Sequence, residues 1–172
     1  MSERRHSHVI NVSEVEPRVA SKGKKFGSSA RSLGRNTNAT KLGCTHFTVE
    51  PGRAGFPRHF HCFIDEAIYV LAGEGTLTIG DATVHLRAGD YVNLPAGPDH
   101  AHQLVNTGKH PLEYLAMSTL SGGDVVEYPD SGKLAVRVGP SYERMIGGEV
   151  WRMNIARPGA SLDYYDGEDT GE

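Results

Sequence analysis

The stretch R-H-F-H-C-F-I-D-E-A-I-Y-V-L-A-G, residues 58–73, combines two histidines, two acids and an apolar run that ends at glycine. Side chains two positions apart in a β-strand project from the same face, so His59 and His61 form a co-facial pair. Histidine is a common metal ligand, but an H-x-H pair also arises by chance on a strand edge. The stretch therefore poses a choice between a metal site and an ordinary polar strand.

Two acids compete to be the next ligand after this histidine pair. Asp65 has the matching parity but stands where the chain should turn, whereas Glu66 opens the apolar strand that follows. Glu66 lies at odd spacing from His61, so it can join the pair only if the chain bends between Cys62 and Asp65. The sequence favours Glu66, and with it a bend.

Short segments of alternating apolar and polar residues follow closely on both sides of this stretch. They are K-L-G-C-T-H-F-T-V-E (41–50), E-A-I-Y-V-L-A-G (66–73), E-G-T-L-T-I-G-D (74–81), A-T-V-H-L-R-A-G-D (82–90), Y-V-N-L-P-A-G (91–97), A-H-Q-L-V-N-T-G (101–108) and P-L-E-Y-L-A-M-S-T-L (111–120). Nearly every segment ends at a glycine-containing turn signal. Short strands separated by turns, without a convincing helical period, predict an all-β sandwich or barrel.

The alternation also predicts which side chains face inward. Ile68 and Val70 continue the face of Glu66, so we expect them in the core, and Tyr69 should point outward. We expect Asn106 to brace a loop through its side-chain amide.

A second pair of histidines lies in G-D-Y-V-N-L-P-A-G-P-D-H-A-H-Q-L-V-N, residues 89–106. One imidazole from His100 or His102, added to the first pair and Glu66, gives a mixed nitrogen and oxygen donor set. Such a set suits a divalent transition metal such as Zn, Fe, Mn or Ni. It also leaves coordination positions for water or substrate, as a catalytic site requires.

The two stretches together resemble the two sequence motifs of the cupin superfamily. The first motif has a glycine, H-x-H, an acid and a further glycine, which here are Gly52, His59, His61, Glu66 and Gly73. The second motif has a glycine, Pro-x-Gly, a histidine and an asparagine.

The second motif leaves its histidine open between two residues. Counting from Pro95 and Gly97 selects His100, whereas counting back from Asn106 selects His102 and makes the turn longer than usual. We favour His102, because turns accept insertions more readily than strands do.

The resemblance covers about residues 42–120 and implies a double-stranded β-helix (jelly-roll) barrel with a metal near one mouth. The ligands that it implies are His59, His61, Glu66 and His102. His100 is then available as a catalytic acid or base near neutral pH. The chain is similar to small single-domain bacterial cupins, some of which are described as sugar-phosphate isomerases, and this likeness implies a homodimer.

The sequence predicts three regions: an N-terminal arm (1–41), the cupin barrel (42–128) and a C-terminal extension (129–172). The arm is rich in Gly, Ser and charge, which predicts irregular structure. In the extension, residues 144–156 predict one more strand or a short helix. The net charge of −3 argues against a nucleic-acid partner. Without an apolar run of membrane-spanning length, a leader or a disulfide framework, we expect a cytoplasmic protein.

Two functions fit these observations. The first is a metal-dependent enzyme, of isomerase, lyase or dioxygenase type, that acts on a small polar molecule. The alternative is a non-catalytic cupin that binds or senses a small ligand.

Overall fold

The computed structural model describes residues 6–141, 148–159 and 161–167, and its regular structure is almost entirely β. The thirteen strands are β1 (Arg18–Lys22), β2 (Phe26–Ser32), β3 (Leu42–Val49), β4 (Phe60–His61), β5 (Glu66–Ala72), β6 (Glu74–Ile79), β7 (Ala82–Arg87), β8 (Tyr91–Leu94), β9 (His102–Val105), β10 (Leu112–Thr119), β11 (Gly123–Tyr128), β12 (Lys133–Val138) and β13 (Arg152–Ala156). Three short 3₁₀ helices span Val12–Glu14, Arg35–Thr37 and Pro98–His100. The predicted all-β class is confirmed.

The strands form three sheets in which neighbouring strands run antiparallel. The largest sheet has the order β1-β2-β3-β10-β5-β8, the second β13-β12-β11-β4 and the third β7-β6-β9. Neighbours in a sheet are often distant in sequence, as in the pairing of β10 with both β3 and β5. This interleaving of strands is that of a jelly roll.

The chain crosses between sheets at Gly73, which separates β5 from β6. Its φ of 77° lies in the left-handed region that favours glycine. A Cβ atom there would lie 2.4 Å from the backbone oxygen of Pro111, so a side chain would also collide with the neighbouring backbone. Glycine is therefore required at this corner for two independent reasons.

The core lies between the six-stranded and three-stranded sheets, and it contains Ile68 and Val70, which the alternation predicts to face inward. Ile68 is 6% exposed, Val70 is fully buried and Leu77 is 1% exposed, whereas Tyr69 faces solvent. Burial of one such aliphatic side chain contributes about 1.5–3 kcal/mol. The core therefore fixes the face of β5 that carries Glu66.

The predicted N-terminal arm and C-terminal extension contain regular strands, although the sequence predicts irregular structure in the arm. Within the predicted arm, β1 and β2 form a hairpin that hydrogen-bonds to β3 and so extends the six-stranded sheet. After the barrel, β12 and β13 continue the sheet that contains β11. Residues 144–147 lie outside the described residues, and the strand predicted in that neighbourhood is β13. The division at residues 41 and 128 remains a prediction.

The helices among the described residues are single turns of three residues, and none could cross a bilayer.

Candidate metal centre

Three strand segments bring the predicted ligands together. His61 ends β4, Glu66 begins β5, and the irregular residues between them supply the predicted bend. His59 precedes β4 and forms an isolated antiparallel bridge with His102, the first residue of β9. The bend is held by Asp65, whose carboxylate accepts a hydrogen bond of 2.9 Å from the Ala96 amide.

The side chains converge on one point inside the barrel. Ligand atoms of His59, His61 and Glu66 all lie within 4.8 Å of one another, and this group could hold a metal ion. Glu66 Oε2 is 3.3 Å from His61 Nε2 and 3.4 Å from His102 Nε2. The rings of His59 and His102 have centroids 4.7 Å apart.

Each imidazole is held by an acceptor at its Nδ1 atom. His59 Nδ1 donates to the Pro57 carbonyl at 2.8 Å, and His102 Nδ1 donates to the His100 carbonyl at 2.9 Å. His61 Nδ1 bonds to the carboxylate of Asp124. A carbonyl oxygen can only accept, so Nδ1 of His59 and of His102 carries a proton, and Nε2 is the nitrogen left to face the other side chains of the cluster. Metal-ligating histidines are oriented in this way, so the donor set fits a metal ion.

The pKa values of the group are coupled through Glu66. Burial alone would raise the Glu66 pKa, but hydrogen bonds from His102 and His61 hold it well below its usual range. Burial alone would lower the His61 pKa, but hydrogen bonds to Asp124 and Glu66 raise it to about 9. Burial and the nearby charge of His102 lower the pKa of His59 to about 4. Without a metal at neutral pH, His61 is therefore protonated between two carboxylates and His59 is neutral.

Asp124 is a residue of the candidate site that the sequence pattern did not reveal. It lies near the start of β11 and is 7% exposed. Its carboxylate accepts a further hydrogen bond of 3.2 Å from the Phe63 amide. It lies far along the chain from His61 and outside both histidine-rich stretches. Only the pairing of β11 with β4 brings the two together.

His100 lies apart from the converging side chains. It ends the 3₁₀ helix Pro98–His100, which is the longer turn expected before His102. Its carbonyl orients His102. Its ring does not line the cavity that lies beside the candidate ligands and is described next. Its Nδ1 atom is buried and has no hydrogen-bond partner among the described residues. The catalytic role of His100 stays a prediction.

A cavity of about 350 Å³ opens beside the candidate ligands. Phe47 and Tyr114 stack in its wall with ring centroids 5.3 Å apart, and Phe56 packs edge-on against Phe47. Tyr128 lines the same cavity with its ring 6.0 Å from that of His59. Arg35 also lines the cavity and is exposed, so the cavity reaches solvent there.

The fold and the cluster define a class: a double-stranded β-helix protein with a candidate His-His-Glu centre inside its barrel. Residues 45–118 match the family model of the cupin domain. The chain therefore contains a small cupin domain, as the two motifs predict. A comparison with curated proteins found no match.

Solved structures resemble this chain over most of its length. One is named a sugar phosphate isomerase from a cupin superfamily, from Silicibacter pomeroyi; it shares 22% identity over 91% of this chain and 97% of that chain, with a TM-score of 0.74. Another, from Acidithiobacillus ferrooxidans and provisionally named a sugar phosphate isomerase, shares 24% identity over the same shares of both chains, with a TM-score of 0.72. These likenesses show the fold.

A third structure resembles a smaller share of the chain. It is described as a predicted oxalate decarboxylase from Thermotoga maritima and shares 27% identity over 64% of this chain and 97% of that chain, with a TM-score of 0.57. The first two structures thus extend the likeness beyond the central barrel.

Proposed function

We propose that this protein is a metal-dependent enzyme that acts on a small polar molecule. One observation carries the proposal: three imidazoles and one carboxylate converge beside a cavity, and each imidazole is oriented by an acceptor at Nδ1. Contacts at Nδ1 turn the Nε2 atoms toward a shared point, as is expected where histidines bind a metal.

The ligands that we propose are His59, His61, Glu66 and His102. Their nitrogen and oxygen donors suit Zn, Fe, Mn or Ni. The bound metal would act as a Lewis acid that polarises a carbonyl or hydroxyl of the substrate.

The reaction that we propose is of isomerase, lyase or dioxygenase type. A cavity of about 350 Å³ admits a small molecule, and the metal side of the cavity is polar while much of the remaining wall is apolar. The likeness to a structure described as a predicted oxalate decarboxylase supports keeping the lyase type among the three.

Proton transfer in the proposed reaction has two candidate groups. His100 remains the residue that the sequence suggests. The Tyr128 hydroxyl lines the cavity, and burial raises the pKa of Tyr128, so the hydroxyl carries its proton at neutral pH and can donate it.

Metal content tests the proposed centre. Natively purified protein should hold about one divalent transition metal ion per chain by mass spectrometry of metals. His59→Ala, His61→Ala and His102→Ala should each lose most of it. His100→Ala is the matched control, because that ring does not line the cavity, and it should keep its metal. Equal metal content in all the proteins, or loss only in His100→Ala, would contradict the proposed ligand set.

Activity tests the enzyme part of the proposal. Metal-loaded protein should convert a member of a panel of sugar phosphates and small carboxylic acids, and His61→Ala should not. Tyr128→Phe and His100→Ala, each with its metal retained, should separate the two proton-transfer candidates by their effect on kcat. Ligand binding without turnover across the panel would favour the non-catalytic binding module.

A further inference from the structure

A second cavity, of about 570 Å³, lies next to the cavity beside the candidate ligands. Pro57 and Gln103 line both cavities and therefore form part of the wall between them. None of the candidate ligands is among the described residues that line the second cavity. A molecule held there would therefore bind apart from the metal.

The charged side chains of the second cavity are mostly basic. Lys25, Arg58 and Lys133 line it together with one acid, Asp130, among the described residues, and we call it the basic groove. Three positive charges and one negative charge leave a net charge of +2 there, although the whole chain has a formal net charge of −3. Charges of one sign that line a concave surface raise the local concentration of ions of the opposite sign. The groove should therefore attract anions.

Two of the three cations are held in place by neighbouring groups. Arg58 Nη2 donates to the Gly80 carbonyl at 2.9 Å. Lys133 Nζ lies 4.7 Å from the centroid of the Tyr128 ring. A side chain that is already ordered loses less conformational freedom when a ligand binds. These two cations are therefore preorganised to bind an anion.

Part of the groove is apolar. Ala54 forms isolated bridges with Phe26 on one side and with Val105 on the other, so the three residues lie side by side. All three line the groove, as does Pro57. An organic molecule can bury apolar surface against these residues, whereas an inorganic ion gains nothing from them.

We propose that the basic groove binds a small organic dianion, a phosphate monoester or a dicarboxylate, at a site separate from the metal. A dianion matches the net charge of +2 in the groove, and a phosphate monoester carries close to two negative charges at neutral pH. The volume of about 570 Å³ lies in the range of cavities that hold small molecules.

Asp130 is the group that opposes an anion in this groove. Its Oδ1 atom is 3.3 Å from Arg58 Nη1, and its side chain is 64% exposed. An ion pair this exposed contributes little stability. The ligand can therefore replace the Asp130 carboxylate at the guanidinium, and removal of the Asp130 charge should strengthen binding.

Calorimetric titration of the full chain with matched probes tests the ligand class. Phenyl phosphate and isophthalate are organic dianions, and benzoate has the same ring with one charge. At least one dianion should bind roughly tenfold more tightly than benzoate, because it makes a further charge-assisted hydrogen bond. The tighter dianion identifies the preferred anionic group. Benzoate binding as tightly as both dianions, or no binding of either dianion, would overturn the proposal.

Charge variants of the groove test its location. Lys25→Gln/Lys133→Gln should weaken binding of the tighter dianion by roughly tenfold or more, whereas Asp130→Asn should strengthen it by roughly threefold. Lys41→Gln/Lys109→Gln is the matched control, because it makes the same change in net charge at exposed positions outside the groove. An equal loss in this control, or weaker binding by Asp130→Asn, would contradict the site. Circular dichroism checks that each variant is folded.

His61→Ala separates this site from the candidate metal centre. His61 is a proposed metal ligand and does not line the groove, so the variant should bind the dianion as the wild-type protein does. Wild-type protein treated with a chelator provides the same comparison without a substitution. Loss of binding in both samples would place the anion at the metal and overturn the proposal. Because neither sample needs a metal to bind the dianion, this proposal and the proposed function can fail independently.

Discussion

At the scale of single residues, the decisive feature is His61 between two carboxylates. Asp124 bonds to its Nδ1 and Glu66 lies 3.3 Å from its Nε2. Without a metal, this arrangement stabilises an imidazolium and raises the His61 pKa to about 9, although burial opposes it. When a metal binds Nε2, the proton must leave while the Asp124 contact can stay. Proton and metal therefore compete for one atom.

This competition predicts a pH-dependent metal affinity. Below pH 9 each bound metal displaces about one proton, so the apparent affinity should fall about tenfold for each pH unit as the pH decreases. Competition with a chromophoric chelator at several pH values between 6.5 and 8.5 measures this slope. In Asp124→Asn the His61 pKa should return toward its ordinary value and the slope should flatten above roughly pH 7. A pH-independent affinity in the wild-type protein would contradict the assignment of His61.

The same residues predict how the stability of metal-free protein changes with pH. The contribution of His61 is complete below its unfolded pKa of 6.5 and is lost as the pH rises toward about 9. His59, with a pKa lowered to about 4, resists protonation in the fold, so stability is also lost as the pH falls from 6.5 toward 4. Glu66, with a depressed pKa, adds to this loss at acid pH.

Chelator-treated protein should therefore be most stable near pH 6.5. Urea unfolding should show the free energy of unfolding falling by an amount on the order of 3 kcal/mol between pH 6.5 and 9. His61→Gln lacks the titrating group and should lose most of this alkaline decline. An equal decline in the variant would assign it to other groups.

At the scale of elements, alternation alone was sufficient to predict the strands that carry the centre. The parity of Glu66 required a break after His61, and β4 and β5 are separated at that point. The choice of His102 over His100 rested on keeping a strand in register, and His102 does begin β9 beside Glu66. The bend and the strand starts could be predicted because alternation and turn signals involve residues close in sequence, whereas the choice of His102 as a ligand stays a prediction.

The features that escaped prediction depend on contacts distant in sequence. β1 has all its side chains exposed and β2 has one buried residue, so neither shows the alternation of a half-buried strand. The hairpin exists because β2 can hydrogen-bond to the edge of β3, which no local pattern encodes. Asp124 was missed for the same reason, since its partner lies in another strand.

Asn106 confirms a prediction at this scale, because its amide braces the loop that joins β9 to β10. It is fully buried, donates to the carbonyls of Val49 and His110, and accepts from the Gly108 amide. Replacement by alanine leaves these backbone groups without partners, so we expect a loss of about 2–4 kcal/mol in the free energy of unfolding. Asn93→Ala, at an exposed position of β8, should change stability by less than about 0.5 kcal/mol. Equal effects in urea titrations would contradict the bracing role.

At the scale of the whole molecule, the candidate ligands join all three sheets. His61 belongs to the four-stranded sheet through β4, Glu66 to the six-stranded sheet through β5, and His102 to the three-stranded sheet through β9. A bound metal would therefore tie together elements that are otherwise held by packing in the core. It would bind the folded chain and leave the unfolded chain largely unbound, because only folding brings these residues together.

Metal should therefore raise the melting temperature of the whole domain. Free metal at about a hundred times the dissociation constant adds about 2.7 kcal/mol to the free energy of unfolding, which for a chain of this length corresponds to a rise of roughly 5–10 °C. Calorimetry of chelator-treated protein with and without added metal measures this rise. His61→Ala lacks one of the proposed ligands, so its melting temperature should rise much less. His100→Ala should respond as the wild-type protein does. A rise of equal size in His61→Ala would place the stabilising metal elsewhere in the molecule, and a single cooperative transition in every sample would show that the three sheets melt as one unit.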